Sequence, residues 1–243
     1  MRLVTYEIEH KSGLGVISRD GSWVYPLASL DMDYKTMQEL IENISESEKQ
    51  LLEYASGQDP YKVRGAAPIG EVSLLAPIPH PRQDVICLGI NYRDHAEEAA
   101  RFSGDAFRKE RPIPIYFSKR VAEAVPPNGW INSHPGLVEQ LDYEAELAVV
   151  IGRTAKDVPA NQAGEYIFGY TILNDVSART LQTRHKQWYF GKGLDGFTPM
   201  GPWITTADEV AFPPALAISS KVNGELRQHS NTSFLMTGIA EII

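Results

Sequence analysis

Three carboxylates recur at every second position in one segment of the chain. Asp142, Glu144 and Glu146 alternate with other residues in the stretch from Leu141 to Gly152. In a β-strand this period places the three side chains on one face. Like charges grouped in this way are costly unless a cation neutralises them or water solvates them. The segment therefore predicts either an acidic edge strand facing solvent or part of a metal site, and by itself it leaves both open.

Asp175 offers a further carboxylate, at the end of another apolar strand and before a predicted helix. Its alternative role is that of a helix N-cap, for which aspartate is a favoured residue. If Asp175 meets Glu144 and Glu146, their oxygens form a hard donor set that suits Mg²⁺ or Mn²⁺ better than zinc. The sequence has no histidine or cysteine pair at zinc spacing that would compete.

Further along the chain, polar side chains supply a possible base and several donors. His95 and Glu98 lie three residues apart in a predicted helix, so the carboxylate can hold the imidazole as a general base for water. Arg179, Gln182 and Lys192 can bind a carboxylate or an oxo group. Solvated, charged helix surfaces are the alternative explanation for both groups. The glycines around Lys192 lack the spacing of a phosphate-binding loop, which argues against nucleotide binding.

The elements that must position these residues fall into two predicted parts. Residues 1–73 form a small α+β region, with short strands, turns at Gly13, Gly15 and Asp20-Gly21, and one or two amphipathic helices between Lys35 and Ser56. A proline-rich crossing leads into residues 74–243, which alternate short strands with glycine and proline turns. The predicted class is α+β, mainly β.

Composition limits the possible partners and the compartment. The 243 residues include 31 acidic and 23 basic side chains, a formal net charge of −8, which is the wrong sign for binding nucleic acid or an anionic membrane. The single cysteine, Cys87, cannot form an internal disulfide, and its apolar neighbours favour a buried thiol over a nucleophile. No signal peptide or transmembrane stretch is evident, so we expect a cytoplasmic protein.

Five motifs, in this order, resemble those of the fumarylacetoacetate hydrolase family. They are Gly-Ile-Asn-Tyr-Arg-Asp-His from Gly89, Leu-Asp-Tyr-Glu-Ala-Glu-Leu from Leu141, Asn-Asp-Val-Ser-Ala-Arg from Asn174, Gly-Lys-Gly-Leu-Asp from Gly191 and Val-Asn-Gly-Glu-Leu-Arg-Gln from Val222. The resemblance extends from about Leu74 to the last residue, and bacterial acylpyruvases and 2-hydroxyhepta-2,4-diene-1,7-dioate isomerases are similar members. It implies a dimeric β-roll or β-sandwich with mixed sheets.

The resemblance also implies roles for the candidate residues. Glu144, Glu146 and Asp175 would bind Mg²⁺ or Mn²⁺, and His95 held by Glu98 would activate water. The remaining donors would act on a small 2-oxo acid substrate: Arg179 and Gln182 by binding it, and Lys192 by stabilising developing negative charge. The implied reaction is hydrolysis of a carbon–carbon bond in acylpyruvate-type 1,3-diketo acids.

Other activities stay open at this point. The same enolate forms when oxaloacetate is decarboxylated, so an oxaloacetate decarboxylase or a hydroxymuconate-type decarboxylase/isomerase is an alternative. A non-catalytic metal-dependent binding protein is an alternative of another class. Two departures from the family pattern bear on activity: Gly193 stands where serine is common, and family members continue beyond Ile243 into strands with a Gly-Thr-Pro motif. We therefore expect the catalytic domain to be incomplete at its C-terminus and a chain ending at Ile243 to have poor activity.

Overall fold

The computed structural model describes residues 1–93 and 113–243. The strands in these ranges are β1 (Arg2–Ile8), β2 (Lys11–Ile17), β3 (Trp23–Pro26), β4 (Ala67–Pro68), β5 (Ser73–Leu74), β6 (Val85–Gly89), β7 (Ile115–Lys119), β8 (Leu141–Asp142), β9 (Ala145–Ile151), β10 (Ile167–Asn174), β11 (Ser177–Ala178), β12 (Met200–Thr206), β13 (Ala217–Val222) and β14 (Glu225–Asn231). The α-helices are α1 (Met37–Asn43), α2 (Glu46–Ser56), α3 (Arg179–Arg184), α4 (Tyr189–Lys192) and α5 (Ile239–Ile242), and short 3₁₀ turns connect several elements. Strands outnumber helices, in agreement with the predicted α+β, mainly β class.

The largest sheet joins the N-terminal region to the rest of the chain. Its strand order is β4-β3-β2-β1-β12-β10-β9, and β5 also pairs with β1. The connection is the antiparallel pair β1–β12, in which Arg2 lies opposite Thr205. The N-terminal ammonium adds an ion pair of 2.9 Å to Glu209. The strands on either side of residue 73 therefore share one sheet, and the predicted division into two domains stays a prediction.

The turn of the first hairpin does not lie at the glycines that the sequence analysis assigned to turns. Glu9 and His10 have φ values of 49° and 61° and link β1 to β2. The predicted turns at Gly13 and Gly15 are wrong, because both glycines lie inside β2. At Gly15 an added Cβ would lie 2.7 Å from Val24 Cγ1 and 3.2 Å from the Tyr6 ring. This glycine therefore allows neighbouring side chains to approach the strand closely.

The two predicted helices pack against one face of this sheet. Thr36 caps α1, and Ser45 forms a capping box with Glu48 at the start of α2. Their apolar faces join strand residues in the largest buried cluster, whose members include Leu3, Val16, Tyr25, Leu40 and Leu52. Burial of these side chains stabilises the helices on the sheet.

Three short antiparallel ribbons flank the large sheet: β6 with β7, β8 with β11, and β13 with β14. The second of these places Asp142 opposite Ser177, beside the end of β10. Near the C-terminus, a 3₁₀ turn at Thr232–Phe234 is followed by the short α-helix Ile239–Ile242. In the ranges described, no helix has the length and apolar character needed to cross a membrane.

Candidate active site

Two neighbouring strands bring the predicted carboxylates together. β9 and β10 run antiparallel, with Glu146 opposite Leu173 and Ala145 opposite Asn174. Just beyond this pair, the backbone N–H of Asp175 donates to the carbonyl of Glu144 at 2.8 Å. The expectation of one continuous strand from Leu141 to Gly152 is wrong, because the strand is interrupted at residues 143–144. β8 pairs with β11 and β9 with β10, so the interruption lets the chain pass from one sheet to another.

Two buried lysines surround Asp175. Lys192 Nζ lies 2.7 Å from Asp175 Oδ2 and 2.8 Å from Glu144 Oε2. Lys119 Nζ lies 2.9 Å from Asp175 Oδ1. The Lys119 ammonium also donates to the backbone carbonyls of Val176 and Lys192, and its side chain is fully buried. One carboxylate thus has a separate ammonium on each oxygen, and the second ammonium also contacts Glu144.

Arg179 extends this network toward solvent. Its Nη2 lies 2.7 Å from Glu144 Oε1 and 2.6 Å from Asp142 Oδ2, and its Nη1 donates to Gln182 Oε1 at 3.0 Å. Burial lowers the pKa of the guanidinium, but Glu144 and Asp142 outweigh this and the pKa is raised overall. Gln182 is buried, and Arg179 is held between two carboxylates and an amide.

The remaining glutamate sits in a different electrostatic environment. Burial raises the pKa of Glu146 to about 8, and the charges of Glu144 and Asp175 add to the shift. Asp175 shows the opposite result: burial would raise its pKa, but Lys119 and Lys192 together hold it below the ordinary value. Within the described ranges the Glu146 side chain has no hydrogen bond or ion pair. The charge of Lys192 lowers the pKa of Glu146 but does not offset burial and the two carboxylates, so within the described residues Glu146 is the carboxyl group of the cluster without a direct cation contact.

The comparisons with known proteins connect this geometry to a family. Residues 84–243 match the family described as fumarylacetoacetate (FAA) hydrolase C-terminal, which is more than half of the chain. The chain belongs to the fumarylacetoacetate hydrolase family. It is 40% identical over 210 residues to the oxaloacetate tautomerase YisK of Bacillus subtilis (strain 168), an alignment that covers 84% of this chain and 68% of that protein.

Solved structures of family members have the same fold. The fumarylacetoacetate hydrolase from psychrophilic Exiguobacterium antarcticum superposes with a TM-score of 0.74 at 33% identity, over 100% of this chain and 79% of that one. The maleylpyruvate hydrolase from Sphingobium sp. SYK-6, in complex with manganese(II) and pyruvate, gives a TM-score of 0.72 at 28% identity, over 100% of this chain and 81% of that one. The fumarylacetoacetate hydrolase fold is thus shown for this chain, and one of these relatives binds manganese.

The donors present fit a hard divalent cation in chemistry. Within the described ranges, no group of three histidine, cysteine, aspartate or glutamate side chains is arranged as a metal site. Lys192 Nζ instead bridges Glu144 and Asp175. Glu146 nevertheless has unused capacity, because its carboxyl group makes no hydrogen bond or ion pair within those ranges. An all-oxygen set with unsatisfied acceptors matches the ligand preference of Mg²⁺ and Mn²⁺.

Most of the sequence-predicted site residues converge in the structure. Glu144, Asp175, Lys192, Arg179 and Gln182 form one connected network, and Glu146 lies within its electrostatic range. Asp175 does not cap a helix, because α3 begins at Arg179 after an N-cap at Ala178. The predicted base pair, His95 and Glu98, lies outside the described residues. The functional roles given to all of these residues stay predictions.

Sequence reasoning missed Lys119, which contributes a fully buried ammonium to the network. The available signal was a lysine at the end of the strand Ile115–Lys119, which begins with the apolar and aromatic residues Ile115, Tyr116 and Phe117. Cys87 lies near the same charges, and burial followed by the charge of Asp175 raises the pKa of its thiol to about 12. This agrees with the expectation that Cys87 is not a nucleophile.

Proposed function

We propose that this protein is a metal-dependent enzyme that forms enolates of small 2-oxo dicarboxylic acids, with keto–enol tautomerisation of oxaloacetate as its reaction. Tautomerisation moves a proton from carbon 3 of the substrate to the oxygen of its 2-oxo group. Such a reaction requires a group that handles the proton at carbon and a fixed positive charge near the oxygen. The similarity to an oxaloacetate tautomerase over most of this chain supports the choice of substrate.

The observation that carries the proposal is the position of Lys192. Its ammonium is buried and lies within 2.8 Å of both Glu144 and Asp175. A buried cation held by two carboxylates keeps its place while charge develops on a substrate oxygen, so little reorganisation is needed. Lys192 would stabilise the enolate oxygen, and Arg179 with Gln182 would bind a substrate carboxylate.

Glu144, Glu146 and Asp175 would hold Mg²⁺ or Mn²⁺. When bound, the cation would supply Lewis-acid polarisation of the 2-oxo group. His95, oriented by Glu98, would remove the proton from carbon 3, a role that the sequence spacing supports. These assignments give each predicted site residue one task in a single proton transfer.

Carbon–carbon hydrolysis of an acylpyruvate is the second candidate. The likeness to maleylpyruvate hydrolase along the whole chain favours it, as does the spacing of His95 and Glu98, which suits activation of water. Both reactions begin with the same polarised 2-oxo group and differ in whether water attacks. Decarboxylation of oxaloacetate would use the same enolate.

Product analysis distinguishes these reactions. Purified protein is mixed with enol oxaloacetate, and loss of the enol absorbance is followed with Mg²⁺, Mn²⁺ or EDTA, while pyruvate is assayed with lactate dehydrogenase. Enol loss above the background of the metal alone, without pyruvate, supports the tautomerase. Pyruvate from oxaloacetate identifies a decarboxylase, and cleavage of acetylpyruvate or fumarylpyruvate identifies a hydrolase.

Two variants test the residue roles. Lys192→Met should lower turnover by about 10²- to 10³-fold, the loss typical of removing one preorganised charge-stabilising donor. Lys221→Met is the matched control, because Lys221 is exposed on β13 and has no partner in the described ranges. His95→Ala should abolish proton transfer while Mn²⁺ binding remains. If either Lys192→Met or His95→Ala turns over at the parent rate, the role given to that residue is wrong.

A further inference from the structure

Three consecutive backbone amides at the interruption before β9 are held by side chains. The N–H of Tyr143 donates to Asp142 Oδ1 at 3.0 Å, that of Glu144 to Asn174 Oδ1 at 3.0 Å, and that of Ala145 to Gln228 Oε1 at 2.9 Å. A regular strand would satisfy such groups with the backbone of its neighbour. Here the three peptides between Asp142 and Ala145, which lead into Glu146, take their orientation in part from side chains.

Gln228 comes from a distant part of the sequence. It lies on β14 of the β13–β14 hairpin, whose turn at Asn223 and Gly224 has φ values of 52° and 84°. Ser220 Oγ, on the paired strand, donates to the same Gln228 Oε1 at 2.8 Å. The neighbouring Arg227 Nε donates to the Tyr143 hydroxyl at 3.2 Å. The hairpin thus contacts both sides of the interrupted segment, and Ser220 fixes the orientation of the Gln228 amide.

We propose that Gln228 is a positioning residue for the two glutamates that flank Ala145. The Ala145 N–H belongs to the peptide that links Glu144 to Ala145, and Glu146 follows directly. Loss of the acceptor would leave this peptide held on one side only, by the bond from the Asp175 N–H to the Glu144 carbonyl, and would loosen the backbone that sets the directions of both carboxylates. The inference rests on the proposed function, in which Glu144 and Glu146 bind the cation. It also gives a role to the Val222–Gln228 motif, which sequence reasoning left unexplained.

The central test replaces the acceptor without a large change in volume. Gln228→Leu should weaken Mn²⁺ binding by about 10- to 100-fold, the range found when a group that orients a metal ligand is removed. Mn²⁺ affinity is measured by electron paramagnetic resonance of the free ion, without substrate. Hydrogen exchange of the Ala145 amide, measured by NMR in metal-free protein, should become faster. The thermal midpoint reports whether the variant is folded.

Two further variants define the effect. His229→Leu is the control, because His229 is exposed on the same strand and makes no hydrogen bond or ion pair within the described ranges. It should leave Mn²⁺ affinity and amide exchange unchanged. Ser220→Ala keeps the bond from Ala145 to Gln228 and should cause a smaller loss of affinity than Gln228→Leu.

The outcomes separate this inference from the proposed function. Mn²⁺ binding and Ala145 exchange that match the parent in folded Gln228→Leu would overturn the positioning role. An equal loss in His229→Leu would also overturn it, because the effect would then belong to the hairpin in general. If the parent itself binds no Mn²⁺, the proposed function fails, and the Ala145 exchange rate alone decides the inference: faster exchange supports it, and an unchanged rate overturns it.

Discussion

The ion pairs around Asp175 and those along helices α1 and α2 have similar lengths but different surroundings. Lys192 and Asp175 approach to 2.7 Å with 2% and 5% of their side chains exposed. Arg19 and Glu53, at the surface near α2, approach to 2.9 Å with 70% and 45% exposed. Lys49 and Glu46 form a similar outer pair at 2.6 Å. Distance therefore does not distinguish the two regions, whereas burial does.

Burial changes what such a pair does. The charges of an exposed ion pair stay largely hydrated in the folded protein, so their mutual attraction contributes little to stability. A buried pair has lost its hydration, so each charge depends on its partner, and the pKa values of nearby groups shift. In the cluster around Asp175, the pKa of the aspartate itself is lowered, whereas the pKa values of Glu146 and of the Cys87 thiol are raised. The buried ion pairs around Asp175 and the exposed pairs near α2 therefore differ in their electrostatic surroundings rather than in their geometry.

Removal of the buried Lys119 ammonium should produce the largest change in stability. In Lys119→Met, Asp175 keeps Lys192 but loses the cation on Oδ1, and two backbone carbonyls lose a donor. We expect the free energy of unfolding to fall by about 3–5 kcal/mol, as for other buried pairs that lose one partner. Urea denaturation measures the loss. The free energy of unfolding of the control Lys221→Met should stay within about 0.5 kcal/mol of the parent. A similarly small change in Lys119→Met would refute the claim that the buried ion pairs contribute more to stability than exposed charges do.

The thiol of Cys87 should be protected from alkylation in the native protein. Its pKa of about 12, against an ordinary value of 9.0 for a thiol, leaves very little thiolate at neutral pH. We expect iodoacetamide to react about 10³-fold more slowly with native protein than with protein in urea, because each pKa unit changes the thiolate fraction about tenfold. Mass spectrometry follows the modification. Equal rates in the two states would show that the cluster does not shield this residue.

The stability of the metal-free protein should decrease as pH rises. Burial raises the pKa of Glu146 from its ordinary value of 4.5 to about 8 in the folded protein. Between these values the unfolded chain releases a proton that the folded protein keeps, so stability falls as pH rises through this window and then levels off. The cost at pH 8 is on the order of 4 kcal/mol, since one pKa unit corresponds to about 1.4 kcal/mol and the pKa rises from 4.5 to about 8.

The measurement compares urea denaturation of the parent and of Glu146→Gln in EDTA at pH 5 and pH 8. The variant cannot ionise at this position, so its stability should change less between the two pH values. If the parent and the variant show the same pH dependence, Glu146 is not the source of the effect.

The candidate site was predictable where its signal is local. The alternation of Asp142, Glu144 and Glu146 and the position of Asp175 after an apolar strand are visible in short segments. The contributions of Lys119 and Gln228 are not predictable in this way, because each residue acts through contacts with residues far away in the sequence. The interruption at residues 143–144 was missed for the same reason: Asn174 and Gln228 supply the acceptors that make it stable.

The fold shows the same division between local and distant signals. The two amphipathic helices follow from periodicity, which depends only on neighbouring residues. The first hairpin was misplaced because Gly13 and Gly15 were interpreted as turn residues. Their actual role, close approach by Tyr6 and Val24, depends on neighbouring strands that periodicity does not reveal.

The smallest expected effect completes the comparison between inner and outer ion pairs. Arg19→Met keeps an apolar stem but removes the charge that faces Glu53, and we expect a loss of about 0.2–1 kcal/mol. At about 1 M salt the screening length falls to about 3 Å, so this loss should vanish. The loss in Lys119→Met should persist, because salt does not enter a buried site. Urea denaturation of both variants at low and high NaCl measures these losses. If the loss in Lys119→Met also disappears at high salt, the buried ion pairs around Asp175 behave like the surface pairs and the comparison fails.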